Sequence, residues 1–185
     1  MTTLELCDRA ELKEDARSVA PPNTPVRLFV QQLARRGLAQ EAIGALAQLL
    51  PQRACISWGL NSIRQVTAAA ETPQAGPALK AVEQWIADPN DELRRAAYKA
   101  GKQADLSTPA GCLALGVYLS GGSLAPLEAP VMPIEAAPHL CGKTVAIAMA
   151  AAVAMDPRNA AELRAAFLDQ GFHLAEQLKI WEQEK

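Results

Sequence analysis

Aromatic residues are scarce, with Phe, Trp and Tyr together only 4% of 185 residues. A core made from this sequence must therefore rest on Ala, Leu, Val and Ile, with helices in close approach to fill space. An excess of charge of one sign is also lacking. The 18 Lys and Arg oppose 20 Asp and Glu, for a formal net charge of −2. That balance supplies no basic footprint for nucleic acid and no polybasic patch for an anionic membrane, so neither partner is expected. Histidine is limited to His139 and His173, and Cys7, Cys55, Cys112 and Cys141 form no CxxC pair. His139 and Cys141 alone are too small a set for zinc, so no metal and no cofactor is expected. A chain of this size does not need disulfides, and reduced thiols are expected. Long apolar runs are missing as well. The longest, 145–155, is about half of what a membrane span requires, so a buried core helix is expected and membrane insertion is not. The charged start MTTLELCDRAELKEDARSVAPPN has no apolar stretch of the secretory type, which points to a cytoplasmic protein.

What is present is apolar patterning. Half of the residues (50%) are hydrophobic and 21% are charged, too apolar for a disordered chain and ample for one core. Residues 1–22 are expected to be a flexible arm ended by Pro21 and Pro22, with a single helical domain over 23–185. Thr24-Pro25 predicts a helix start, followed by Val26, Phe29, Val30 and Leu33 on one stripe. Gly37 ends that helix, and Ile43, Leu46, Ala47 and Leu50 mark the next. Pro51 opens a longer helix with Cys55, Ile56, Gly59, Leu60, Ile63 and Val66 on a broad face, and Leu79, Val82 and Ile86 mark a fourth. Asp88-Pro89, Thr108-Pro109 and Asp156-Pro157 repeat a cap-proline device. The uncharged segment 110–119 predicts a central buried helix. Gly171 is expected to break the last helical stretch into two. The sum is an all-α protein of about nine helices, a multi-helix bundle of antiparallel hairpins.

One segment fits neither helix nor solvated loop. Between Ser120 and Pro138 the chain reads SGGSLAPLEAPVMPIEAAP. Its prolines forbid regular helix, while Leu124, Leu127, Val131, Met132 and Ile134 argue against full solvation. Burying each such side chain stabilises by roughly 1.5–3 kcal/mol. An extended Pro-rich strap is expected, packed for the most part on its own helices, with a docked partner as the alternative.

Motifs that carry chemistry are few. Gly142-Lys143-Thr144 resembles the end of a phosphate-binding loop, yet Ala137 stands where the first glycine belongs and Pro138 removes a backbone donor. A helix start with an exposed lysine is the simpler reading. Carboxylates near helix starts, such as Asp88, Asp91, Asp156 and Glu162, are explained by capping and the helix dipole. No HExxH or GxSxG occurs, so no catalytic residue is assigned. Arg35-Arg36 and Arg94-Arg95 could meet an acidic partner or form solvated helix faces. Arg53 stands out, because a helix start disfavours a cation and the residue calls for a carboxylate partner.

Several runs taken together resemble a known family. They are Leu50-Pro-Gln-Arg53-Ala-Cys-Ile-Ser-Trp58-Gly59, Trp85-Ile-Ala-Asp88-Pro89 with Arg94-Arg95-Ala-Ala97, Thr108-Pro109-Ala110, and Ser120-Gly121-Gly122-Ser123-Leu124-Ala125-Pro126. In order and spacing, over roughly residues 48–170, the chain is similar to an uncharacterised proteobacterial family of small helical proteins. Its members are sometimes mislabelled as twin-arginine translocation signal proteins, and their genes often lie near type VI secretion effector loci. The resemblance implies no catalytic residue. It implies a non-enzymatic accessory role, an adaptor or chaperone-like partner of a secretion effector or carrier. Candidate protein-binding residues are Arg53, Trp58, Arg94, Arg95, Leu124, Leu127, Val131 and Met132. An immunity protein that blocks a cognate toxin, and an enzyme of unrecognised type using His139, Cys141 or His173, are the alternative expectations.

Overall fold

A computed structural model describes residues 1–67, 73, 75–126 and 132–183. Among them are ten α-helices and a terminal 3-10 turn. The helices are α1 (Thr3–Arg9), α2 (Glu14–Arg17), α3 (Val26–Arg35), α4 (Ala39–Leu49) and α5 (Gln52–Thr67). Then follow α6 (Ala75–Ala87), α7 (Asp91–Gln103), α8 (Pro109–Tyr118), α9 (His139–Met155) and α10 (Ala160–Gln177). The only strand-like pairing among the described residues is one antiparallel bridge, Ser123 with Glu135. The fold is all-α.

The two uncharged segments form the centre. Helix α8 buries Ala110, Cys112, Leu113, Ala114 and Val117, and α9 buries Cys141, Val145, Ala148, Met149, Ala152 and Val153. A helix this apolar must bury most of its circumference, and α9 packs against α4, α5 and α8, with Lys143 and Ile147 on the side left open. With few aromatic side chains to fill gaps, backbones come close instead. A β-carbon on Gly59 of α5 would stand 2.7 Å from Cγ1 of Val145 and 3.0 Å from Cδ1 of Leu113. That position joins α5, α8 and α9.

Helix starts follow capping chemistry, with some shifts. Thr108 caps α8 as expected, its hydroxyl accepting from the Gly111 amide at 3.1 Å, and Pro109 sits in the first turn. At α7 the cap is Asn90 rather than Asp88. Its side-chain oxygen accepts from the Leu93 amide at 2.8 Å, while its amide nitrogen donates to Asp88. At α3 the cap position falls to Pro25, and the Thr24 carbonyl accepts from the Thr3 hydroxyl.

Two expectations change. The arm expected over 1–22 is folded onto the bundle, with Leu6, Cys7, Leu12, Ala16 and Val19 buried. The reason is local and tertiary together. Thr2 and Glu5 form a capping box that starts α1. Arg17 then laces α2 to α1 by donating to the Leu12 and Cys7 carbonyls and pairing with Asp8 at 2.7 Å. Gly171 does not break the last helix, because its missing side chain is used for contact inside a continuous α10. The count of ten thus comes from two added N-terminal helices and one merged C-terminal pair.

Candidate functional site

The two described limbs of the strap, 120–126 and 132–138, are tied to each other and to α7 and α8. The Leu124 amide donates to the Ile134 carbonyl at 2.7 Å, and the Ile134 amide donates to the Ser123 hydroxyl at 3.1 Å. Prolines deny this segment a helix, so its backbone groups must find partners elsewhere. Helix α7 supplies them through two arginines. Arg94 is 3% exposed. It donates to the Tyr118 carbonyl at 2.6 Å, to the Ser123 carbonyl at 2.8 Å and to Asp91 at 2.9 Å. Arg95 donates to the Ser123 carbonyl at 2.9 Å, to the Ala125 carbonyl at 3.0 Å and to Asp91 at 2.8 Å. Asp91 therefore holds both guanidinium groups, and these hold its carboxyl below the usual aspartate range, Arg95 contributing most and Arg94 next. A buried guanidinium is tolerated only when its donors are satisfied in this way.

Aromatic stacking backs the anchor. The Arg94 guanidinium lies 4.7 Å from the Tyr118 ring centroid, Tyr118 stacks on Tyr98 at 4.2 Å, and the Lys102 ammonium lies 4.7 Å from the Tyr98 centroid. The Tyr118 hydroxyl also donates to the Leu124 carbonyl at 2.8 Å. One limb is thereby held down, with Ala125 buried and Leu124 half-buried. The other limb faces outward. Met132 is 85% exposed and Ile134 56% exposed. Leu127 and Val131 lie outside the described residues.

Structure thus unites Arg94, Arg95 and Leu124, with Met132 on the facing limb. Arg94 and Arg95 serve this internal anchor, which sequence reading assigned to a partner. Arg53 and Trp58 do other work. Arg53 donates to the Ile86 and Ala87 carbonyls at 2.7 and 3.3 Å, the exposed end of α6. A cation there complements the helix dipole, so carbonyls fill the role expected of a carboxylate. Trp58 is buried, and its indole N–H donates to the Phe167 carbonyl at 3.0 Å.

Sequence reading missed Asp91 as the hub and Tyr118 as the floor. The first had a signal, because Asp91 precedes Arg94 by three positions and Arg95 by four, the spacing at which helix side chains meet. Tyr118 had none.

The residues named for an enzyme are not gathered. His139 lies 3.9 Å from Glu11 at the start of α9, whereas His173 sits on α10 beside Gln177 at 2.9 Å. Burial pushes the Cys141 thiol up to about 12 and the Cys112 thiol to about 11. Lys143 and Thr144 are helical. Lys143 pairs with Glu11 at 2.6 Å, and the Thr144 hydroxyl donates to the Leu140 carbonyl at 2.7 Å. Among the described residues no group of three or more His, Cys, Asp or Glu is placed to hold a metal. None of their helices is long and apolar enough to cross a membrane.

A family model described as a family of unknown function, DUF6931, matches residues 29–175. The chain belongs to the DUF6931 family. The match takes in most of α3, all of α4 to α9 with the strap, and most of α10, and it leaves α1 and α2 outside. No curated protein and no solved structure matches the chain. The anchor of Asp91, Arg94, Arg95 and Ser123 lies wholly inside the part that matches the DUF6931 model.

Proposed function

We propose that this DUF6931 protein is a non-enzymatic protein-binding accessory, an adaptor or chaperone-like partner of type VI secretion effectors, acting in the cytoplasm. The observation that carries the binding reading is the display of Met132 and Ile134. Two large apolar side chains stand exposed on a limb whose facing limb is fixed by a buried arginine. Holding such a limb in one shape lowers the ordering cost of association, and methionine is enriched in interface centres. The secretion setting rests on the resemblance of the runs around Arg53, Asp88-Pro89 and Ser120–Pro126.

The test is affinity capture from a native-host lysate with the wild-type protein and a Met132→Asp/Ile134→Asp variant, read by mass spectrometry. One secretion effector or carrier, dominant with the wild type and lost with the variant, is the expected result. Equal capture by both proteins, or no specific prey, overturns the reading.

A further inference from the structure

A second site lies away from the strap's residues, between α5 and α10. The two helices meet where Trp58 packs on Gly171. Beside that contact they leave a cleft of about 420 Å³, within the ordinary range for a binding pocket. Trp58 and Leu174 contribute apolar lining. Along α5 the cleft is lined by Ser57, Asn61 and Gln65, and across from them stand Gln170 and Gln177 of α10. In a chain that is 21% charged, the described lining of the cleft carries no Asp, Glu, Lys or Arg, and His173 of α10 completes it.

We infer that this cleft binds the main chain of an extended, uncharged peptide segment of a partner protein. Ser57, Asn61 and Gln65 recur every four residues along one helix, steps of about 6 Å at 1.5 Å rise per residue. An extended chain presents amides of one orientation every second residue, a repeat of about 6.6 Å. The two repeats nearly coincide. Each carboxamide offers both a donor and an acceptor, the pair needed to meet a peptide N–H and C=O together. The side chains of Asn61, Gln65 and Gln170 carry no hydrogen bond to another described residue. A described lining without Asp, Glu, Lys or Arg suits a neutral backbone, and His173, whose ring nitrogen meets the Gln177 amide at 2.9 Å, is the one described lining side chain that can take up charge. The mode differs from strand addition to a sheet, because side-chain amides stand in for the edge backbone. The assignment is independent of the strap reading and uses different residues.

The test selects a displayed random peptide library on the whole protein and then measures the leading peptides against Asn61→Ala/Gln170→Ala. Both positions lie outside the buried core, and thermal melting checks that the variant folds. The leading peptide is then synthesised with N-methyl amides walked along its backbone. Expected is at least about tenfold weaker binding to the variant, loss of binding on N-methylation at alternate positions, and little change up to about 0.5 M NaCl. Met132→Asp/Ile134→Asp should leave this binding unchanged, which separates the cleft from the strap. Peptides that bind the variant equally, tolerate N-methylation throughout, or weaken steeply with salt overturn the proposal, as does failure to select any peptide.

Discussion

The Trp58 ring lies against the bare backbone of Gly171, so that a β-carbon on Gly171 would stand 2.7 Å from Cζ2 of the indole. The indole cannot retreat freely, because its N–H is held by the Phe167 carbonyl one turn earlier on the same helix. Cδ2 of Leu46 would stand at 2.5 Å, and that side chain has room to rotate only within a filled core. Gly171→Ala is therefore an overpacking change despite its higher helix propensity. It should destabilise the protein by about 1–3 kcal/mol in urea unfolding and shift tryptophan emission. A neutral or stabilising result would show that α10 moves away without cost.

Arg94 should be irreplaceable by lysine. A lysine keeps the charge but lacks the planar fork that reaches Tyr118, Ser123 and Asp91 at once. The Ser123 carbonyl keeps its Arg95 donor, but leaving the part-buried Tyr118 carbonyl without one costs about 1–3 kcal/mol. Arg94→Lys should lower stability by about that amount and strip hydrogen-exchange protection from the Leu124 and Ile134 amides first. Unchanged protection there would mean that the strap does not depend on the arginine.

Acid should release the same strap. The Asp91 carboxyl is held below its ordinary value of 3.8 by Arg95 and Arg94. A carboxylate whose value is lowered by folding contributes stability that is complete above the ordinary range. That contribution is lost as pH falls through the lowered value. Protection factors at Leu124 and Ile134 should therefore hold steady from neutral pH to about pH 4 and fall below it. In Asp91→Asn the same protection should be low at every pH. A profile that is flat in both proteins would contradict the role of Asp91.

The four cysteines should be silent in the folded state. All are free and buried, and burial raises the Cys112 and Cys141 thiols to about 11 and about 12. Thiolate is the reactive form, so an alkylating reagent at neutral pH should label none of the four quickly and all of them after unfolding. Rapid labelling of Cys141 in the native protein would refute the packing of α9 on α4.

Much of the architecture was readable because capping chemistry is local. Thr108-Pro109 marks α8, and the uncharged runs of α8 and α9 announce the two central helices, although α9 keeps Ile147 on an exposed face. The arm failed as an expectation because Leu6, Leu12 and Ala16 are too sparsely spaced to declare a stripe, although Thr2 and Glu5 already carried a capping box. Gly171 was misread because a glycine that ends a helix and one that admits a neighbouring ring look alike in sequence. The anchor was only half visible. Arg94-Arg95 drew attention as a basic pair, but their acceptors are backbone carbonyls of Tyr118, Ser123 and Ala125, and a carbonyl leaves no mark in a sequence. Arg53 was singled out for the right reason, a misplaced cation, and its carbonyl partners on α6 were equally hidden.

The central claim is that the exposed limb meets a protein partner, and photo-crosslinking tests it most directly. A photoreactive amino acid is placed at Met132, or for comparison at exposed Lys80 of α6, and the protein is irradiated in its native host. The account predicts one discrete adduct from position 132 with a secretion effector or carrier, and none of it from position 80. No adduct from position 132, or the same adducts from both positions, would contradict it.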